Sequence, residues 1–332
     1  SITLSVIAIA QPCLDLLART PDFFIGRKIE QIDLLLLPLM LCWVLPALLA
    51  LPVVVLHRLN KRYGLYLYWA GFFILLSALW LQIIKSANLD DRPLLSVTLA
   101  VLLAITFTAA YARLAFVQRF ITFLSPALLV VPLLFIWQSP WHELASDTDL
   151  SSSASLPGTP ARELPPIIMV TFDELALSGL LNSDHQIDGT LFPNFNALSD
   201  DAFWFRNATT VATSTKLAVP AILSGQYPKK FQSPSLKNYP QNLFTLLGKS
   251  YAMNVHEGAT RLCPKSLCAK PPEEALSINQ RLVSLLADTG LIYLHLLLPD
   301  ESSNTLPTIN HSWGDFWHTE SAPLTRKRKP AY

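Results

Sequence analysis

Hydrophobic positions fall along the chain in two styles. Four runs, at 34–56, 65–84, 94–112 and 120–137, each hold 18 or more residues without a charged side chain. That length of helix covers a hydrocarbon core, so each run predicts a membrane-crossing helix. A fifth run, 1–18, is interrupted by Gln11, Pro12 and Asp15. It lacks the charged start and the small-residue cleavage site of a signal peptide. It reads as a first membrane helix, partly truncated, since the chain begins at Ser1. Asp15 sits at the helix end near the interface, and Trp137 and Trp141 fit an interfacial aromatic belt.

Past residue 140 the runs shorten and turn residues return. The stretch 142–166, with its Ser-Ser-Ser-Ala-Ser and Pro-Gly-Thr-Pro, has no periodicity and too few apolar groups to pack. Beyond it, strands are expected at 167–172, 203–209 and 251–256, and helices at 194–201, 216–223, 241–249 and 278–289. Such alternation predicts an α/β domain with a mainly parallel sheet. The expected organisation is a transmembrane domain of about five helices over 1–137, a flexible linker over 138–166, and an α/β domain over 167–332.

Composition sharpens this only in places. The chain is 51% hydrophobic and 15% charged, with a mean hydropathy of +0.36. A net charge of +1 says nothing about a polyanionic partner, and with no basic stripe no nucleic-acid partner is expected. Cys13 and Cys42 lie in apolar runs and read as small hydrophobes. Cys263 and Cys268 lack a second pair for a zinc site, with only His256 nearby, so a disulfide-closed loop in an oxidising compartment is the better reading. The loops 57–64 and 113–119 hold Arg58, Lys61, Arg62, Arg113 and Arg119, and the alternate loops hold Arg19, Arg27, Lys28, Lys85 and Arg92. This tie leaves orientation undecided by the positive-inside rule. An odd helix count with a cytoplasmic amino end places the second domain outside.

Two stretches carry the candidate chemistry. The apolar run 166–172 ends in Asp173 and Glu174, the position where open α/β sheets bind ligands. The stretch 212–225 offers Thr213, Ser214 and Thr215 ahead of an apolar, helix-compatible run that stops at Gly225. A hydroxyl there caps the helix or faces an anion at its positive end. Carboxylates for a metal and a hydroxyl nucleophile are the parts of metal-assisted phosphoryl or sulfuryl transfer.

With Phe192-Pro-Asn-Phe-Asn-Ala-Leu, Phe203-Trp-Phe-Arg-Asn207 and Leu223-Ser-Gly-Gln-Tyr-Pro228, these stretches resemble the amino-terminal half of a sulfatase domain of the alkaline phosphatase superfamily. The likeness covers about residues 165–230 and is looser to about 300. It implies Thr215 as nucleophile and a divalent metal (zinc, calcium, magnesium or manganese) on Asp173, Glu174 and Thr215. Sulfatases need a Cys or Ser for formylglycine, and this chain has Thr215, so sulfate-ester hydrolysis is disfavoured. The context looks closer to membrane-bound phosphoethanolamine transferases, which have five membrane helices and a periplasmic catalytic domain. That resemblance implies a multi-pass protein of the bacterial inner membrane, with membrane lipids as partners and a lipid or envelope-glycan substrate. The family's Asp-His-Gly does not occur, and Asp184-His185, His295 and His311 lack ligand spacing. Two readings therefore stand. One is a piece of a longer transferase or hydrolase. The other is a non-catalytic, sulfatase-like membrane protein that binds an anionic ligand or a partner.

Overall fold

The computed structural model describes residues 2–27, 29–87, 92–141, 164–172, 175–229, 232–248, 250–268, 276–309 and 314–317. The first helix, α1 (Ile2–Ala18), leads into α2 (Pro21–Gly26). Four helices then follow that are long and apolar enough to cross a membrane. They are α3 (Gln31–Leu59), α4 (Lys61–Ser86), α5 (Pro93–Arg113) and a segment Ala115–Gln138, which bends into α6 (Ala115–Phe123) and α7 (Ala127–Gln138). Their large apolar side chains point outward, among them Leu48, Leu51, Val54, Ile74, Leu94, Leu102, Leu129 and Leu133. A surface of that kind suits hydrocarbon and not water. The chain thus has the character of a multi-pass membrane protein, and all four predicted runs lie inside these helices. Between α3 and α4 the corner is tight, because a Cβ on the buried Gly64 would run into the backbone of His57.

Prolines shape the helices within the bundle. Pro12 has no N–H to give the carbonyl of Ala8, four residues earlier. Here α1 widens into a π turn over Val6–Ala10, in which Gln11 N–H reaches back to Val6 O. Gln82 of α4 donates its side-chain amide to Ala8 O at 2.9 Å. The same widening occurs in α3 at Met40–Val44, just before Pro46, and the two π turns pack together.

The remaining described helices are α8 (Leu177–Leu180), α9 (Pro193–Asp201), α10 (Thr215–Ser224), α11 (Leu243–Leu247), α12 (Lys265–Cys268), α13 (Ile278–Leu297) and α14 (Asp300–Ser303). The longest, α13, starts with a capping box between Ser277 and Gln280. Its apolar side, with Leu285, Leu291 and Ile292, completes the main core together with Val6, Cys13, Leu17, Phe24, Leu34 and Phe135. Its polar side is fastened by ions. Arg281 Nε lies 2.9 Å from Asp33 Oδ2, and Arg27 pairs with the fully buried Asp288. Asp288 also accepts the backbone N–H groups of Asp315 (2.7 Å) and Phe316 (3.0 Å). Lys85, at the end of α4, donates to the carbonyls of His295 and Leu298 and pairs with Asp300 at 2.8 Å. A cation at the last carbonyls of a helix also complements its dipole.

The mainly parallel α/β sheet finds no support. Among the described residues there is no strand, only isolated bridges at Leu181–Ile187 and Ser235–Arg261. Residues 165–172 are irregular, with Ile168 86% and Val170 66% exposed, where a central strand would be covered. Residues 203–209 and 251–256 are irregular as well. The physical reason is that an apolar run becomes a strand only when neighbours take up its backbone groups, and periodicity within the run cannot name them. Of the expected linker, 142–163 lies outside the described residues.

Candidate functional site

The helix α10 opens as the hydroxyl-rich stretch predicts, with its parts reassigned. Ser214 is the N-cap residue, in extended conformation (φ −126°, ψ 141°), and its side chain makes no capping bond. Thr215, half-buried, is the first helical residue, so the cap position belongs to its neighbour. Ser214 O accepts from Leu217 N–H (3.0 Å) and Ala218 N–H (2.9 Å). The helix ends at Gly225, whose φ of 68° is the left-handed conformation that glycine adopts at little cost.

A small core anchors this helix from behind. Leu223 and Val219 pack with Tyr239, Leu243, Phe244 and Leu262. Burial pushes the Tyr239 phenol above its usual pKa. Asn242 caps α11 and donates its amide to Tyr239 O (2.8 Å) and Leu262 O (3.0 Å). Glu257 accepts N–H groups from Leu262 (2.8 Å) and Cys263 (3.0 Å). Cys263 is disulfide-bonded to Cys268, with Cα atoms 6.0 Å apart, and the loop-closing reading holds.

Two contacts tie this unit to the membrane bundle. Lys216, the residue after Thr215, reaches Asp22 of α2 at 2.6 Å. Arg261 donates to Ile29 O at 2.8 Å. The start of α10 therefore lies beside α2, between α1 and α3 in the chain.

Asp173 and Glu174 lie outside the described residues. Phe172, just before them, meets Phe195 of α9 edge to face, with ring centroids 5.8 Å apart. Of the implied metal set, only Thr215 is described, and no group of three His, Cys, Asp or Glu gathers among the described residues. His185 sits in an Asn182-centred turn with φ 57°, its carbonyl accepting from Arg206. His256, at the end of the expected strand 251–256, is exposed on an irregular segment, and His295 lies in the last turn of α13, its ring bonded to Pro307 O at 2.9 Å. His311 is outside the described residues.

Sequence reasoning missed the charged seam that joins α13 to the bundle. Burial lowers the pKa of the Arg27 guanidinium, against the raising effect of Asp315 and Asp33. A signal for this seam existed: Arg281, Ser284 and Asp288 fall at i, i+3 and i+7, a polar stripe along an otherwise apolar helix.

No model of a known protein family, no curated protein and no solved structure matches the chain.

Proposed function

We propose that the chain is a membrane-bound, metal-dependent phosphoryl-type transferase or hydrolase that works through Thr215 on a lipid or envelope-glycan substrate at the bilayer surface. The observation that carries this reading is the placement of Thr215. It opens a ten-residue helix, and its neighbour Lys216 is ion-paired to the membrane bundle at Asp22. A helix N-terminus presents unpaired N–H groups and the positive end of the dipole to an anion. At that position the anion can belong to a lipid headgroup. In this reading the lobe lies on the periplasmic side of a bacterial inner membrane.

The chemistry is a double displacement. The Thr215 oxygen forms a bond to phosphorus and loses its proton to solvent. The bond from phosphorus to the first alcohol breaks, and that oxygen leaves with the electron pair and takes up a proton. Water or a second alcohol then attacks the phospho-threonine and loses its proton, and the released Thr215 oxygen leaves with the bond's electron pair and takes up a proton. A divalent cation held by Asp173, Glu174 and Thr215 would supply positive charge for the phosphoryl oxygens.

The test uses the full-length protein and a chromogenic phosphodiester in detergent micelles with added divalent metal. Turnover that is abolished in Thr215→Ala, with a trapped phospho-threonine found by mass spectrometry in the wild type, is the expected result. Near wild-type turnover in Thr215→Ala would move the attacking group to Ser214 or water. A wild-type protein that binds the phosphodiester without cleaving it would favour the non-catalytic binder.

A further inference from the structure

The described lysines and arginines of the loops at the two ends of the bundle differ in what surrounds them, although Arg92 is also exposed and in no ion pair with a described residue. At the end that carries α13, Arg19 pairs with Asp15, Arg27 with Asp288 and Lys85 with Asp300. At the other end, Arg58, Lys61, Arg62, Arg113 and Arg119 are all exposed, and none forms an ion pair with a described residue. From residue 34 to 141 the sequence has acids only at Asp90 and Asp91, between Ser86 and Pro93 in the sequence.

These five cations form one surface. The start of α4 and the end of α5 are joined where the Tyr68 and Tyr111 hydroxyls lie 3.4 Å apart. Gln118 of α6 donates to Tyr111 O at 2.9 Å, which brings Arg119 to the same end. Interleaved with the cations are apolar groups: Leu59 and Tyr63 at the corner, and Phe116, Phe120 and Phe123 on α6. The phenylalanines are spaced i, i+4, i+7, and Phe116 and Phe123 are 78% and 77% exposed. Arg119 lies three residues after Phe116 and four before Phe123, so cation and rings share one side of α6 at the start of a membrane-crossing segment, where aromatic groups and a snorkelling arginine meet the bilayer boundary together.

We propose that this end of the bundle docks on the headgroups of anionic phospholipids, with the α6 phenylalanines in the acyl boundary of the same leaflet. Charge complementarity selects the occupant, because five exposed cations with no ion pair to a described residue suit headgroup phosphates. The surface is continuous with the lipid-facing sides of α4 and α5, so the partner is the membrane the bundle already crosses. This proposal is independent of any role for Thr215.

The experiment measures lipid selectivity of the full-length chain reconstituted in phosphatidylcholine vesicles. Spin-labelled phosphatidylglycerol and phosphatidylcholine report the lipid held at the protein surface. The expected result is a several-fold preference for phosphatidylglycerol that fades as salt is raised. Replacing all five cations by glutamine should bring the preference to unity, and Arg19→Gln with Arg92→Gln should keep it. Should the fivefold variant fail to fold, the pairs Lys61→Gln with Arg62→Gln and Arg113→Gln with Arg119→Gln should each reduce it. Equal retention of both lipids by the wild type, or a preference lost only in the Arg19/Arg92 variant, would overturn the proposal.

Discussion

Lys216 Nζ lies 2.6 Å from Asp22 Oδ2, which fastens the helix begun by Thr215 to the short helix that follows α1. The lysine side chain is 46% exposed, so the pair contributes little to global stability, about 0–1 kcal/mol. Its effect is local. Asp22→Asn should leave the melting temperature nearly unchanged and raise amide hydrogen exchange at Leu217–Val219. Unchanged exchange there would show that the small core around Leu223 and Tyr239 holds the helix without the ion pair.

The contact between Arg281 and Asp33 is of another kind, since the Asp33 carboxylate is buried. Arg281→Met should strand that charge and destabilise the fold by about 3–5 kcal/mol. Adding Asp33→Leu removes the stranded charge, and the double variant should recover most of the loss. Denaturation of the four proteins of this cycle in micelles gives the coupling. Additive losses would mean that Arg281 acts through its link to Glu30, 3.3 Å away, and not through Asp33.

The Cys263–Cys268 bridge closes a short loop, worth about 2 kcal/mol on the chain-entropy model. Reduction should loosen α12, while Leu262 stays in place, because Glu257 and Asn242 hold its N–H and C=O. Reduced protein should keep the fluorescence of buried Tyr239 and show faster exchange at Lys265–Cys268. Loss of both together would make the bridge the main support of the small core.

How much of this was legible in the sequence depends on where each element finds its partners. The membrane-crossing helices could be read because the solvent that decides them is lipid, and length without charge suffices. The end of α10 could be read because Gly225 stops a helix locally. The strands could not, since Ile168 and Val170 specify extended chain but no neighbour. The place of α13 was half legible. The pattern places a helix at 278–289 within an α/β domain, and the stripe of Arg281, Ser284 and Asp288 records instead that its partners are Asp33 and Arg27, about 250 residues away in sequence. Of the candidate site, the helix start could be read, but the sequence alone does not say that Ser214 and not Thr215 takes the cap position.

Ala8 O gives the last prediction. Pro12 denies it its helical donor, and two side chains converge on it: Gln82 Nε2 at 2.9 Å and the Tyr293 hydroxyl at 3.2 Å. With either donor removed the other still satisfies the carbonyl, so Gln82→Leu and Tyr293→Phe should each cost about 0.6 kcal/mol. Together they leave an orphaned acceptor in an apolar core, a loss of about 1–3 kcal/mol and more than the sum of the two. Titration should repeat the Tyr293→Phe result without a mutation. Burial, with the nearby Cys13 and against the Gln82 hydrogen bond, pushes the Tyr293 phenol up to about 12 from 10.0. A raised pKa in the folded state means that its stabilisation is fully present below pH 10.0 and is lost as the pH rises through about 12. In Gln82→Leu, where the phenol is the remaining side-chain donor to Ala8, that alkaline loss should be steeper than in the wild type. An alkaline profile unchanged by Tyr293→Phe would show that the phenol does not carry the bond.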